Sequence, residues 1–366
     1  MTRLAVARPA QAITSAWRNV PVHPRGSTQL GISFRPRQAE AMGLDVESSL
    51  RALLVYPFEI VRLGAYWNRI EPEPGDFRPD ELDRQIDAAV NAGKQIIVCV
   101  GAIKTFGYPE FFVPAHHLDR PLLEGRLVTP DAYPALLDAA ITFVGRIVER
   151  YRDCPAVIAW QVEHDAVDPL GMEHSWRLSS AFVGREVAAV RATDPSRPVM
   201  LNGFLPTSLP VAASQAWRTR GQGDSLAEAK RTADIVGIDF YPRHALTRLG
   251  SRSVYLDGGQ APSQQGRRRR LLDWAAATPG RQLMVCEGQA EPWETVTEPP
   301  NPDGRAMFSC LPEHVIANYN QCMGWTDDGG AQLSAYLFWG AEYWLLRRRG
   351  GDRSYLDAFA RVLDEA

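Results

Sequence analysis

Three ionisable residues follow one another in the segment WQVEHD, residues 160–165. Glu163, His164 and Asp165 come at the point where an apolar run stops. Burying an unpaired charge is costly, so such a cluster is expected to line a cleft, to be paired, or to take part in chemistry. Carboxylates and imidazoles are the side chains that most often transfer protons in enzymes. The segment is therefore a candidate site for acid–base chemistry.

The composition is that of an ordinary globular protein. The chain has 366 residues, of which 45% are hydrophobic and 23% charged, so it can build a large core. Its formal net charge of -3 provides no basic field that would attract nucleic acid or an anionic membrane. The basic runs at 267–270 and 347–349 are typical of solvated helix or loop faces. Neither a nucleic acid nor a membrane is expected as a partner.

The cysteines and the first residues of the chain indicate the compartment. An odd number of scattered cysteines without a CxxC pair predicts neither a disulfide framework nor a thiolate zinc site. They are Cys99, Cys154, Cys286, Cys310 and Cys322. The N-terminal segment lacks the apolar stretch of a signal peptide, and no other window approaches a membrane span. We expect a cytoplasmic protein without a cofactor or a metal.

Eight short apolar runs predict strands that are buried on both faces, as in a parallel sheet. They cover residues 29–36, 60–67, 95–101, 156–162, 198–204, 233–241, 282–288 and 333–340.

Helical patterns lie between these runs. The first predicted helix, 45–54, opens with Asp45 as a candidate N-cap, and the second, 79–93, ends on Gly93. The others cover 129–153, 179–194, 224–231, 264–276, 310–323 and 354–364. Eight strands that alternate with eight helices predict an α/β fold, a closed (β/α)8 TIM barrel. An open dinucleotide-binding sheet is disfavoured because the first strand lacks a GxGxxG turn.

The chain shows no linker that would divide the barrel. We predict an irregular N-terminal arm over 1–28 and a single barrel domain over 29–366. A Pro-rich segment at 290–309 is long enough to form a rim or a lid over a site.

In a (β/α)8 barrel the active site lies at the C-terminal ends of the strands, so the polar and aromatic residues there are candidates. Carboxylates, amides and aromatic rings together are the side chains that a carbohydrate site uses. The candidates are Arg35, Arg62, Tyr66, Trp67, Lys104, Glu163, His164, Asp165, Asn202, Asp239, Tyr241, Glu287, Gln289, Trp339, Glu342 and Tyr343.

Three segments resemble the clan-A glycoside hydrolases, the barrels that include β-galactosidases, cellulases and β-mannanases. They are 61–101, with the phrase W-x-x-I-E-P-x-P-G-x-F from Trp67 to Phe77, and the shorter 159–165 and 286–293. The resemblance implies an enzyme that cleaves a β-linked glycoside or a short oligosaccharide with two carboxylates and with retention of configuration. It also implies a carbohydrate substrate as the partner.

The resemblance assigns roles to individual positions. Glu287 matches the nucleophile at the end of strand seven, and Arg62 matches an arginine that supports it. At the end of strand four, His164 stands where the clan has Asn, and Asp165 stands where it has the acid/base Glu. Asp is one methylene shorter, which widens the gap between the two carboxylates. Retaining enzymes separate these groups by about 5–5.5 Å and inverting ones by roughly 6.5–9.5 Å.

Other roles stay open from the sequence. Glu163 is a rival acid, because alternation or a bulge could turn either carboxylate towards the site. Trp67 and Trp339 are either core aromatics or sugar contacts. The remaining predicted substrate contacts are Lys104, His164, Asn202, Asp239, Tyr241, Gln289, Trp293 and Glu342.

Three functions are compatible with this pattern. The favoured one is a glycoside hydrolase or transglycosidase, with Glu287 and Asp165 as its carboxylates. The second is a carbohydrate-binding barrel that has lost activity together with the Asn-Glu pair. The third is a metal-dependent sugar isomerase, with ligands drawn from Glu163, His164, Asp239, His244 and Glu287. The sugar, the linkage and the oligomeric state are not determined by the sequence.

Overall fold

The computed structural model describes residues 3–107, 111–118, 126–168, 176–206, 208–219, 223–258, 262–292, 305–325 and 332–366. Its strands are β1 Arg3–Ala7, β2 Ala10–Ala12, β3 Gln29–Ser33, β4 Ile60–Gly64, β5 Gln95–Cys99, β6 Leu127–Val128, β7 Val157–Gln161, β8 Arg177–Leu178, β9 Val199–Phe204, β10 Ile235–Phe240, β11 Arg243–Leu249, β12 Arg252–Asp257, β13 Gln282–Gln289, β14 Arg305–Met307 and β15 Ala335–Trp339.

Eight of these strands form a closed barrel in the order β10-β13-β15-β3-β4-β5-β7-β9. The predicted (β/α)8 barrel is thereby confirmed, and each of the eight apolar runs supplies one barrel strand. Neighbours such as β4 and β5 pair in parallel, with Arg62 opposite Ile97. Both faces of these strands are buried, which is why their sequences are continuously apolar rather than alternating.

The helices follow the strands in sequence. They are α1 Pro36–Ala41, α2 Val46–Leu54, α3 Trp67–Ile70, α4 Asp80–Asn91, α5 Pro134–Tyr151, α6 Ser180–Thr193, α7 Leu209–Thr219, α8 Ser225–Thr232, α9 Pro262–Ala276, α10 Pro312–Met323, α11 Ala341–Arg349 and α12 Ser354–Glu365. The eight predicted helices are present, and Asp45 caps α2 by accepting a hydrogen bond from the Ser48 N–H at 2.8 Å.

The N-terminal segment differs from the predicted irregular arm. Strand β1 pairs antiparallel with β12, and β2 pairs with β14. Two apolar side chains of β1, Leu4 and Val6, are exposed, so the strand is not buried on both faces like the barrel strands. Its backbone is paired instead by the hairpin of β11 and β12, which lies far along the chain.

The two basic runs are only partly solvated, contrary to the prediction. Arg268 in α9 is buried, with its guanidinium 4.7 Å from the centre of the Trp325 ring. Arg347 in α11 is also buried and forms an ion pair with Asp352 at 2.8 Å. Long arginine stems cover apolar surface in this way while their charge finds a partner.

The chain packs as two compact units. The first comprises Met1–Phe58, Leu205–Ala212 and Asp239–Ala366, and the second comprises Glu59–Phe204 and Ala213–Ile238. Within the described ranges, none of the helices combines the length and the apolar character that crossing a bilayer requires.

Candidate active site

In the first unit, strand β13 presents Glu287 at its C-terminal end. The Tyr241 hydroxyl donates a hydrogen bond to Oε2 of Glu287 at 2.7 Å. Both side chains are buried. Burial, together with the negative charges of Glu287 and Asp239, raises the pKa of Tyr241 well above its usual value. The phenol therefore stays protonated and acts as a hydrogen-bond donor to the carboxylate.

The local packing of β13 fixes the position of Glu287. The preceding residue, Cys286, accepts a hydrogen bond from the Ser33 hydroxyl at its carbonyl, at 2.9 Å, and its thiol donates to Oδ1 of Asp239 at 3.1 Å. The following residue is Gly288, where a Cβ would lie 2.2 Å from the Tyr336 ring. Only glycine allows the strand to approach that ring so closely.

A buried ion cluster supports the end of the first barrel strand. Arg35 donates from its backbone N–H and its guanidinium to Glu342, and from Nη1 to Glu291 at 2.7 Å. Its guanidinium carbon lies 4.3 Å from the centre of the Trp339 ring. Burial raises the pKa of Glu342, and the charge of Arg35 opposes this shift. One face of Trp339 is thus covered by a cation.

Two predicted substrate contacts in this unit form bonds within the protein. Glu342 is completely buried against Arg35, so its carboxylate holds the barrel end together. Gln289 is also completely buried, and its amide points to the carbonyls of Arg243 and Ser309 at 3.4 Å each. Both side chains have supporting contacts within the protein, and their predicted contact with a sugar stays a prediction.

In the second unit, Arg62 on β4 is held by a side chain of β7. Its Nε donates to Oε1 of Gln161 at 2.6 Å, and the Gln161 amide donates to Oδ1 of Asn202 at 2.8 Å. The guanidinium of Arg62 also lies over the Phe106 ring at 4.1 Å. Three strands thus present one continuous row of polar side chains, of which the sequence predicted Arg62 and Asn202.

The segment after β7 is a tight turn rather than an extended strand. Strand β7 stops at Gln161, and Glu163 and Asp165 have φ angles of 56° and 43°. Such left-handed backbone is unusual for residues other than glycine and persists where neighbouring contacts hold it. The strand alternation that left two candidate acids open therefore does not apply here.

The two carboxylates of this turn have different surroundings. Oε1 of Glu163 accepts the Ile103 N–H at 3.0 Å, and Oε2 accepts the Lys104 N–H. Oδ1 of Asp165, in contrast, is buried without a hydrogen-bond partner among the described residues. Glu163 is committed to the backbone of the loop after β5, whereas Asp165 has an oxygen available.

Lys104 and Asp168 form further contacts that support the same turn. The Lys104 ammonium donates to the carbonyl oxygens of Asp165 at 2.6 Å and Asp168 at 3.1 Å. Lys104 is buried and supports the turn through these two bonds, and its predicted contact with a substrate stays a prediction. Burial and the charges of Asp165 and Asp224 raise the pKa of Asp168 to about 8. The Gln215 amide donates to Oδ2 of Asp168 at 3.0 Å.

Among the remaining predictions, Trp67 proves to be a core residue. It is completely buried, it stacks on Phe143, and its indole N–H donates to Glu71 at 2.8 Å. Its ring faces are therefore unavailable to a sugar. His164 is buried within the turn. Trp293 lies outside the described residues, as does the side chain of His244.

The sequence analysis missed three polar residues of the second unit. Gln161 and Asp168 flank the predicted acid cluster and were passed over, although both follow the apolar run closely. Glu186 is completely buried on α6. The sequence could have indicated that Glu186 is buried, because this residue lies on the same helix face as Phe182 and Val183. A carboxylate on the apolar face of a helix needs a partner.

A family model is similar in sequence to part of the chain. Residues 44–183 match the model of a glycoside hydrolase family described as β-galactosidase. The matched region contains β4, β5 and β7, and with them Arg62, Glu163 and Asp165.

The fold is similar to that of solved glycoside hydrolases. A GH5_18 structure from Streptomyces cattleya in complex with GlcNAc is 15% identical, with a TM-score of 0.57 over 93% of this chain and 81% of the other. A GH5_18 from Bifidobacterium longum subsp. infantis is 15% identical, with a TM-score of 0.56 over 92% and 79%. An exo-β-1,4-mannosidase from Opitutaceae bacterium strain TAV5 is 14% identical, with a TM-score of 0.52 over 90% and 54%.

These likenesses agree with the sequence motifs. The resemblance to the clan-A glycoside hydrolases is thereby confirmed, for residues 44–183 by the family model and for the barrel by its fold, and it indicates an enzyme that acts on O-glycosyl bonds.

Proposed function

We propose that the protein is a retaining glycoside hydrolase of β-linked substrates, with Glu287 as nucleophile and Asp165 as acid/base. The observation that carries the proposal is the bond from Tyr241 to Glu287, since a protonated phenol at 2.7 Å orients a carboxylate for attack. Glu287 also stands at the strand-seven position at which the clan's nucleophile occurs.

The choice of Asp165 rests on its free oxygen. An acid that protonates a leaving group needs a carboxyl oxygen that the protein does not already occupy, and Oδ1 of Asp165 meets this condition within the described residues. Both oxygens of Glu163 accept backbone N–H groups, which supports a structural role for Glu163.

The mechanism would follow the usual double displacement. Glu287 attacks the anomeric carbon and forms a glycosyl ester while the protonated Asp165 gives its proton to the departing oxygen. Asp165 then takes a proton from water, which attacks the same carbon and releases Glu287. The family described as β-galactosidase and the solved β-1,4-mannosidase suggest aryl β-galactosides and β-mannosides as first substrates.

Azide rescue tests the assignment. We expect Asp165→Ala to lower turnover of aryl β-glycosides with poor leaving groups by about 10²–10⁴-fold, since general acid catalysis is lost. With an activated leaving group, added azide should restore turnover and give a glycosyl azide of retained configuration. The control is Asp153→Ala, which removes an exposed carboxylate in the same unit and should leave turnover unchanged.

Three results would contradict the proposal. Rescue of Glu163→Ala but not of Asp165→Ala would move the acid role to Glu163. Sugar binding without turnover of any substrate would instead support a carbohydrate-binding barrel, to which the replacement of the Asn-Glu pair by His164 and Asp165 points. Loss of turnover on addition of a chelator would favour the metal-dependent alternative.

A further inference from the structure

A glutamate and two adjacent histidines meet in the second unit, beside helix α3. Glu71, His116 and His117 each offer one carboxylate oxygen or ring nitrogen, and these three atoms lie within 4.8 Å of one another. Glu71 directly follows α3, whereas the histidines belong to a short 3-10 helix, Ala115–His117, in the segment after β5. Two segments that are distant in the chain thus bring three possible metal ligands to one place.

Backbone hydrogen bonds fix these two segments. The Asn68 N–H in α3 donates to the Phe112 carbonyl at 2.8 Å, which docks the segment after β5 onto the helix. Within the 3-10 turn, the His117 N–H donates to the Pro114 carbonyl at 3.1 Å. The turn places the rings of His116 and His117 side by side, with their centres 4.2 Å apart. The backbone therefore brings both imidazoles to the side chain of α3 that follows.

Trp67 orients one ligand from each segment. Its indole N–H donates to Oε2 of Glu71 at 2.8 Å, and its ring lies against the His117 ring with the centres 4.6 Å apart. The other carboxylate oxygen, Oε1, accepts the Gly75 N–H at 3.3 Å. Neighbouring groups hold the ligands of metal sites in the same manner, so that the ligands are already oriented when the ion binds.

The distance between Glu71 and His117 fits two ligands of one ion better than a hydrogen bond. Oε2 of Glu71 lies 3.4 Å from Nε2 of His117, whereas N–H···O bonds span about 2.7–3.2 Å. Atoms that bind Zn²⁺ tetrahedrally at about 2.0–2.2 Å are about 3.3–3.6 Å from one another. Among the described residues, the His116 ring forms no hydrogen bond. A simple ion pair of Glu71 and His117 would not involve this second imidazole.

The donor set indicates the class of ion. Imidazole nitrogens suit Zn²⁺, Cu²⁺ and Ni²⁺, whereas Mg²⁺ and Ca²⁺ prefer oxygen ligands. Two histidines and a glutamate, with water in the fourth position, are a set that binds zinc in proteins. The side chains of Glu71 and His117 are 13% and 22% exposed, and His117 lines a cavity of about 290 Å³ with Tyr133 and Leu136. An ion and its water therefore have access to the ligands from solvent.

We propose that Glu71, His116 and His117 bind one divalent transition-metal ion, such as Zn²⁺. The ion holds the segment after β5 against α3, which is a structural contribution. The sequence did not indicate this site, because Glu71 is distant from the two histidines in the chain. The inference does not depend on the proposed hydrolysis, since none of the three ligands has a role in it.

Calorimetric titration with Zn²⁺, after treatment of the protein with a chelator, tests the site. The wild type should bind one Zn²⁺ ion that His116→Gln and Glu71→Gln each bind at least about tenfold more weakly. Glu71→Gln should fold, because the amide oxygen still accepts the indole N–H of Trp67. The control His23→Gln removes an exposed imidazole from the first unit and should keep the wild-type affinity. Mg²⁺ and Ca²⁺ at the same concentration should not displace the ion.

Thermal unfolding provides a second measurement. An ion that binds the folded state raises the melting temperature, so saturating Zn²⁺ should raise that of the wild type and of His23→Gln by a few degrees. The melting temperatures of His116→Gln and Glu71→Gln should not rise. If one of these variants does not fold, His117→Gln takes its place in the comparison.

Two results would overturn the site. One is a wild type that binds no Zn²⁺, and the other is equal Zn²⁺ affinity in the wild type, His116→Gln and Glu71→Gln.

A chelator separates this site from a catalytic metal. It should lower the melting temperature of the wild type and leave turnover unchanged at a temperature at which the protein stays folded. Loss of turnover with the chelator in both the wild type and His116→Gln would count against the hydrolase. The weaker Zn²⁺ binding of His116→Gln would still uphold the site at Glu71, His116 and His117.

Discussion

At the scale of residues, neighbouring carboxylates acquire different roles from their contacts. Glu163 and Asp165 are two positions apart and have similar chemistry, yet the first is bound by backbone N–H groups and the second keeps a free oxygen. Glu287 is distinguished by the phenol of Tyr241. The residue types at strand ends were predictable from the sequence, but the partner of each carboxylate was not, because it depends on loops distant in the chain.

The bond from Tyr241 to Glu287 provides a test at this scale. A hydrogen bond to a charged group contributes about 1.5–3 kcal/mol, so Tyr241→Phe should lower kcat by roughly 10–100-fold. The fold should be retained because only one oxygen is removed. Steady-state kinetics on the best aryl β-glycoside would measure the effect.

Tyr319→Phe is the matched control for this variant. Its hydroxyl donates to the His23 carbonyl at 2.8 Å, so its loss removes a similar bond from the same unit without touching Glu287. We expect its kcat to equal that of the wild type. A wild-type kcat in Tyr241→Phe would show that the phenol does not orient the nucleophile.

At the scale of elements, the turn after β7 depends on close approach by the loop after β5. A Cβ at Gly101 would lie 2.2 Å from the backbone nitrogen of Glu163 and 2.3 Å from its Cα. Real side chains do not tolerate such distances from backbone atoms, so glycine is required here. The sequence shows this glycine at the end of an apolar run but not the backbone that faces it.

Gly101→Ala should therefore be strongly destabilising. We expect a loss of about 3 kcal/mol or more, because overpacking against backbone cannot be relieved by a change of rotamer. Gly145→Ala is the control, since a Cβ at this position in α5 meets nothing within 4 Å. That variant should gain about 0.5–1 kcal/mol from helix propensity. Equal urea midpoints for the two variants would contradict the packing account.

The barrel strands were predicted from the sequence, whereas the N-terminal strands were not, and the difference has a physical reason. The barrel strands carry continuous apolar runs because both of their faces are buried. Strands β1 and β2 are instead stabilised by pairing with β12 and β14, which lie far along the chain. Local sequence patterns do not record such pairing, so the N-terminal segment was predicted as irregular.

At the scale of the whole molecule, the order of elements was sufficient to predict the barrel. Eight strands alternating with eight helices leave few other arrangements, and the C-terminal ends of the strands then locate the candidate site. The site was less predictable than the fold. Buried residues such as Trp67, Lys104, Gln289 and Glu342 stand where substrate contacts were expected, yet their polar groups bind the protein itself.

The proposed mechanism requires Glu287 to form a covalent bond with the substrate. It is tested most directly with a 2-deoxy-2-fluoro aryl glycoside of the sugar that the enzyme turns over, followed by peptide mass spectrometry. We expect loss of turnover and one glycosyl group on Glu287, within the peptide that contains β13. Turnover of the substrate without any adduct, or an adduct on another residue, would contradict it.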